Sequence, residues 1–327
     1  MNRTSIGLGL QGDKPPGRYA ELAGIAESFD FDVLSVFGDL TFQPPIVPLL
    51  EMAKATTRVR LGAACWNPFT MHPYEIAGQV AALDLVSSGR AYLGLAQGAW
   101  LDTIGVERRR PVRAVEEAVA VIGMLLAGDR GGFDGEVFRL APGTCLSYPT
   151  RRAKVPVLIG AWGPRMVALA GRVADEVKVG GTANPEMVAV IRERAGTDAL
   201  GIVAGAVTVV DEDAGAARAR ARHEVAMYLG VVAALDPTVD VPAELLPEIE
   251  RCARDGEHHR LAELIPDAML DRFAFAGTPE HVAEQAQRLI DAGVSRVEFG
   301  TPHGLSDDHG ITLLGSEVLP RLRRHVW

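Results

Sequence analysis

Asp39 and His303 are the two side chains whose types and settings best suit proton transfer. Asp39 ends the run Val33-Leu-Ser-Val-Phe-Gly-Asp39, one step past an apolar strand, where a carboxyl with a raised pKa could act as a general acid. The same position also suits a carboxylate that caps the following turn. His303 lies in Gly300-Thr-Pro-His-Gly304, whose glycines and proline suggest a shaped loop and a competing proton donor, although a lone loop histidine commonly faces solvent. A third stretch carries anion chemistry. In Gly160-Ala161-Trp162-Gly163-Pro164-Arg165 a strand ends, Gly163 lets the backbone approach a ligand, and Pro164 suits the first position of a helix. The free N–H groups of that helix point at an anion, and Arg165 adds a charge. Gly180, Gly181 and Thr182, after the next strand, could supply further backbone donors. A capped strand-to-helix turn with no ligand explains both stretches as well.

A wall for a bound ring is suggested by Val59-Arg-Leu-Gly-Ala-Ala-Cys-Trp-Asn-Pro-Phe-Thr-Met-His-Pro73. An apolar strand runs there into a loop in which Asn67-Pro68 and His72-Pro73 stop strand pairing. Trp66, Phe69, Trp100 and Trp162 all stand at or next to expected strand ends, which suggests an apolar pocket. Glu116-Glu117 and His258-His259 read as solvated helix faces, and no metal-ligand spacing emerges. Neither a Walker loop nor a dinucleotide fingerprint is present.

Strand-like and helix-like segments alternate along the chain, the pattern of parallel βα units. Strands are expected at Thr4–Leu10, Val33–Phe37, Val59–Cys65, Ala91–Ala96, Val155–Gly160, Glu176–Val179, Ile202–Val210 and Arg296–Gly300. Eight such repeats favour a closed (β/α)8 TIM barrel, and 327 residues exceed the usual ~250 by enough for insertions. One insertion follows strand 4, where Asp134-Gly135 between β-formers suggests a hairpin flap. The other, helical, spans 211–271 after strand 7, punctuated by Pro237, Pro242, Pro247 and Pro266. With no internal repeat or linker, residues 1–327 read as one domain.

A formal charge of −9 argues against nucleic acid and anionic membrane surfaces as partners, and no apolar run reaches spanning length. Three scattered cysteines, Cys65, Cys145 and Cys252, suggest neither a disulfide framework nor a zinc cluster, so a reducing, cytoplasmic setting is expected.

Taken together, Arg60–Pro73, the run Leu83-Asp-Leu-Val-Ser-Ser-Gly-Arg-Ala-Tyr-Leu-Gly-Leu-Ala-Gln-Gly98 and Pro156–Met166 resemble the bacterial luciferase-like superfamily. The resemblance extends to Phe275-Ala-Gly-Thr-Pro279 and Phe299–Gly304, and it is greatest to the deazaflavin-dependent branch typified by methylenetetrahydromethanopterin reductase. It implies a luciferase-like barrel that binds coenzyme F-420 and transfers a hydride to or from a small organic substrate, reducing an activated C=C or C=N bond. It also implies a non-prolyl cis peptide between Ala64 and Cys65 pressed against the ring. Asn67, His72, Gly98, Gly160, Ala161, Trp162, Gly163, Pro164, Arg165, Gly180 and Gly181 would complete the cofactor site, in a homodimer or higher homo-oligomer. Two departures stand out. Members of the superfamily often follow the acidic residue after strand 2 with histidine, where this chain has Asp39-Leu40, and the methanopterin branch has a glutamate where this chain has Gly9. The second argues against methanopterin as substrate, and Gln11 could partly fill that space. An FMN-dependent monooxygenase and a non-catalytic flavin-binding barrel are the alternatives.

Overall fold

The computed structural model describes residues 3–239 and 245–323; Pro242 lies outside them. Eight parallel strands form the barrel: β1 Ser5–Leu10, β2 Val33–Val36, β3 Arg60–Ala63, β4 Leu93–Ala96, β5 Val157–Gly160, β6 Glu176–Gly180, β7 Gly201–Val210 and β8 Arg296–Gly304. They pair in the order β3-β2-β1-β8-β7-β6-β5-β4. Isolated parallel bridges, Leu61 to Ala91 and Trp66 to Leu95, join β3 to β4 and close the ring. The expected strands sit within a few residues of these bounds.

Strand alternation sends one set of side chains outward and the other inward. Leu8, Leu34, Leu61, Leu95, Ile159, Val177 and Val297 join the main core with the helices. The inner apolar cluster is small, consisting of Val33, Tyr92, Leu158 and Val203 with Cys65 against it. Inside the barrel, glycines make room for long side chains. A Cβ on Gly62 would come within 2.6 Å of the Tyr92 ring, one on Gly205 would lie 3.2 Å from Glu298 Cβ, and one on Gly9 3.1 Å from Glu298 Oε1.

Both expected insertions are present. Phe133–Asp134 pairs antiparallel with Arg139–Leu140. Its tip is held by Glu117, whose carboxylate accepts from the N–H groups of Glu136, Val137 and Phe138. Glu117 is therefore buried, contrary to its reading as part of a solvated face. After β7 come the helices Ala214–Ala226, Leu229–Val232, Leu246–Asp255, His258–Leu264 and Asp267–Phe273. Ala217, Ala221, Val225, Leu261, Leu270 and Phe273 give them an apolar core of their own.

Among the elements that were not expected, two pack on the barrel strands. Ala274–Gly277 is a further parallel strand, paired with the upper half of β7 at Val207–Val210, and it is too short to declare itself by alternation. The helix Asp307–Leu313 follows β8 and packs back on it. Among the described residues no helix is long and apolar enough to cross a membrane.

Candidate active site

The C-terminal ends of the strands surround a partly open mouth. Gln11, Phe37, Gly38, Asp39, Cys65, Ala96, Gly160, Gly180 and Val207 are all half-buried there, while the strand centres are buried. The Ala64–Cys65 peptide is cis, at the expected bond, and the chain bulges there, since the step from Leu61 to Trp66 is one residue longer than the facing step from Ala91 to Leu95. Cys65 carbonyl oxygen turns toward β2 and would lie 2.1 Å from a Cβ on Gly38. The Cys65 thiol is desolvated, which pushes its pKa up to about 12, so it is a neutral wall group and not a nucleophile.

Asp39 follows Gly38 and is met by Gln11, whose Nε2 donates to Asp39 Oδ2 at 3.3 Å. Burial raises the Asp39 pKa above the ordinary carboxylate value, partly offset by the Gln11 hydrogen bond and the Lys178 charge. Gln11 Oε1 is buried without a partner. Asp39 thus combines partial access, a tendency to hold a proton and a neighbouring amide that could also touch a ligand.

Across the mouth, the helix Pro164–Val173 begins with Gly163 at its N-cap and no side chain caps it. Gly163, Pro164 and Arg165 are exposed. A Cβ on Gly163 or on Gly180 would meet nothing within 4 Å. An uncapped helix N-terminus beside open space is ready to receive an anionic group.

Beneath the mouth runs a buried polar column that sequence reading missed. Lys178 on β6 is ion-paired with Glu298 on β8, their side chains 7% and 1% exposed. Ser35 Oγ donates to Glu298 Oε2 at 2.7 Å and lies 2.8 Å from Tyr92 Oη. The Arg296 guanidinium stands 5.3 Å from the Tyr92 ring centre and pairs with Glu176 at 3.1 Å. Burial alone would raise the Glu298 pKa, but Lys178, Arg296 and Ser35 together hold it below the usual value. The available signal was a charged residue at the centre of each apolar strand, Val177-Lys178-Val179 and Val297-Glu298-Phe299.

A family model described as luciferase-like monooxygenase matches residues 2–296. The chain belongs to the luciferase-like monooxygenase family. It is 30% identical to the 5,10-methylenetetrahydromethanopterin reductase of Archaeoglobus fulgidus, over 94% of this chain and 98% of the relative. It is 28% identical to the F-420-dependent glucose-6-phosphate dehydrogenase of Microbacterium testaceum, over 95% and 94%. Among solved structures, the coenzyme F-420-dependent tetrahydromethanopterin reductase of Methanopyrus kandleri has the same fold. Its TM-score is 0.85 at 24% identity, covering 98% of this chain and 100% of that one.

Within this luciferase-like barrel several expected site residues have other duties. His303 is not in a solvent-facing loop: β8 continues through it after a register shift and a cis Thr301–Pro302 bond, and its side chain is fully buried. Desolvation lowers its pKa to about 4, so the ring is neutral at pH 7 and has no imidazolium proton to give. Both ring nitrogens lack a hydrogen-bond partner among the described residues, and the ring is closed off from solvent where Asp39 is not. Asn67 Oδ1 is engaged in its own loop, accepting from the N–H groups of Phe69 and Thr70. His72 caps the next helix through Nδ1, and its ring lies edge-on to Phe138 at 5.3 Å. Gly98 has a φ of 75°. Its carbonyl accepts from Arg108.

The anion side is narrower than expected. The N–H groups of Gly181 and Thr182 both donate to Gly205 carbonyl oxygen, at 2.7 and 3.1 Å, so they are spent inside the fold. Ala161 N–H likewise donates to Lys178 carbonyl oxygen, which leaves the helix start at Gly163–Arg165 as the open donor set. The aromatic pocket is also smaller. Trp66 and Phe69 pack into the outer core, Trp100 is exposed, and Trp162 donates from Nε1 to Gly180 carbonyl oxygen at 3.0 Å while touching both cores.

Proposed function

We propose that this chain is a coenzyme F-420-dependent oxidoreductase that reduces an activated C=C or C=N bond in a small organic molecule. The observation that carries the reading is the mouth itself. The Ala64–Cys65 bulge stands on one side and the uncapped start of Pro164–Val173 on another, with glycines between them where side chains would fill the space. The names of the relatives supply the cofactor class, since the relatives from Archaeoglobus fulgidus and Microbacterium testaceum are respectively a reductase and an F-420-dependent dehydrogenase.

The residues present fit such a group. Cys65 and Ala64 would form the wall behind its ring, and Gly163–Arg165 would hold its phosphate through backbone N–H groups and one guanidinium. When bound, the deazaflavin supplies a hydride, a two-electron reductant that does not react with oxygen as a flavin does. The protein must then supply a proton to the substrate atom that has gained an electron pair. Asp39 is the candidate donor: its Oδ–H would pass to that atom, leaving a carboxylate held by Gln11 and within the field of Lys178.

The carboxylate-free Gly9 at strand 1 supports a substrate other than methanopterin. The three cysteines are free, in keeping with a cytoplasmic setting. Fluorescence titration of the purified chain with F-420, FMN and nicotinamide nucleotides tests the reading. Selective binding of F-420 is expected; selective binding of reduced FMN with oxygen-dependent turnover would overturn it.

A further inference from the structure

We propose that Lys178 and Glu298 act together as a neutral counter-ion pair beneath Asp39, and that Glu298 is the positioning residue that lets Asp39 keep its proton. The inference rests on Asp39 being the donor, and it adds how the fold sets the charge of that group.

The geometry is particular. Lys178 Nζ lies 4.9 Å from the centre of the Phe37 ring, two residues before Asp39. Glu298 Oε1 reaches the level of Gly9, two residues before Gln11, the amide that meets Asp39. Gly9 and Gly205 leave the space that the pair fills, because a Cβ on Gly205 would lie 3.2 Å from Glu298 Cβ and 3.7 Å from Lys178 Cε. The barrel interior is thus built around this pair.

The charge count gives the consequence. The groups facing this region are Asp39 after β2, Cys65 after β3, Tyr92 before β4, Glu176 and Lys178 on β6, and Arg296, Glu298 and the neutral His303 on β8, with the ion pair of Lys14 and Asp307 beyond His303. Burial keeps the Cys65 thiol and the Tyr92 phenol neutral. Glu176 and Arg296 cancel, and Lys178 and Glu298 cancel. An ionised Asp39 would then be an uncompensated charge at a half-buried position, whereas a protonated Asp39 leaves the interior balanced. If Glu298 lost its charge, Lys178 would become free to draw Asp39 into the carboxylate form. If Lys178 lost its charge, Asp39 would keep the Gln11 hydrogen bond but lose the one positive charge that draws it toward the carboxylate form.

Opposite shifts are therefore expected from the two single variants. In the full-length protein, infrared difference spectroscopy reads the protonated Asp39 carboxyl against pH, with Asp39→Asn as the blank. Glu298→Gln is expected to move that titration down by about one pH unit or more, and Lys178→Met to move it up by a similar amount. The double variant, in which neither buried charge is left alone, returns it to near the starting value and guards against a single variant that does not fold. An Asp39 titration that stays put in Lys178→Met, shifts alike in both singles, or fails to return in the double variant overturns the proposal. A wild-type rate that is insensitive to Asp39→Asn would instead overturn the donor role, with the infrared result still standing.

Discussion

Gly38 sits directly under the carbonyl oxygen of Cys65: a Cβ there would be 2.1 Å from that oxygen and 3.0 Å from its carbon. No side chain can occupy that space, so the end of β2 and the bulge after β3 are locked to one spacing. Gly38→Ala is expected to push the bulge toward the mouth, an overpacking cost of roughly 1–3 kcal/mol. If the bulge forms the cofactor wall, F-420 affinity falls about tenfold or more while the circular dichroism spectrum is kept. Unchanged affinity would show that the bulge does not touch the cofactor.

Replacement of Asp39 by asparagine removes the proposed acid while keeping its size. Turnover is expected to fall by about 100-fold or more, and the alkaline fall-off of the rate should disappear. The sign follows from the raised pKa: the active, protonated form is lost as pH rises through the folded value. For stability, the native state binds this proton more tightly than the unfolded chain. The resulting stabilisation is full below the ordinary carboxylate pKa and is lost as pH rises through the folded value. Thermal melts above that value should therefore find Asp39→Asn no less stable than the parent, which separates lost chemistry from lost fold.

The barrel and the loop that ends β3 were legible because backbone periodicity and local glycine–proline chemistry encode them. Val59–Cys65 alternates over enough residues to declare a strand, and Asn67-Pro68 ends it. Ala274–Gly277 was not legible, since Ala-Phe-Ala-Gly is too short to show a period of its own and is strand only because β7 offers a free edge. The polar column was hidden for a different reason. Ser35, Lys178 and Glu298 lie on three different strands and Tyr92 just before a fourth, and only barrel closure brings them together. His303 misled because a Gly-Thr-Pro-His-Gly run reads as a surface loop, whereas Gly310 of the following helix lies so close that a Cβ there would come 2.4 Å from the His303 carbonyl carbon. That helix covers the histidine.

Burial of His303 has a measurable signature in acid. Its pKa falls from 6.5 to about 4 on folding, so its contribution to stability is full above 6.5 and is lost as pH drops toward 4, where the native state must accept a buried charge or unfold. At about 1.4 kcal/mol per pH unit this amounts to roughly 3–4 kcal/mol. His303→Gln should flatten the dependence of Tm on pH across that window and leave the alkaline limb of turnover in place. A steep, unchanged dependence would assign the acid sensitivity to other groups.

Arg90, within the stretch that resembles the family, has a structural task. Its Nη1 donates to Val59 carbonyl oxygen at 2.8 Å and to Thr56 Oγ1 at 2.9 Å, and its Nη2 donates to the carbonyl oxygens of Ala53 and Thr56 at 2.9 and 2.8 Å. Its Nε donates to Ser87 carbonyl oxygen at 2.7 Å. One planar fork therefore ties the end of the helix Ile46–Ala55 to the entrance of β3 and to the turn before β4, which sets where the bulge after β3 emerges. Lysine has the charge but not the fork, so Arg90→Lys should recover little of what Arg90→Ala loses. Hydrogen bonds to a charged group contribute about 1.5–3 kcal/mol each in net terms and are not additive, which places the expected loss at roughly 3 kcal/mol. Urea unfolding should find both variants at a clearly lower midpoint with an unchanged m-value, whereas full rescue by lysine would mean that charge, not geometry, holds this corner.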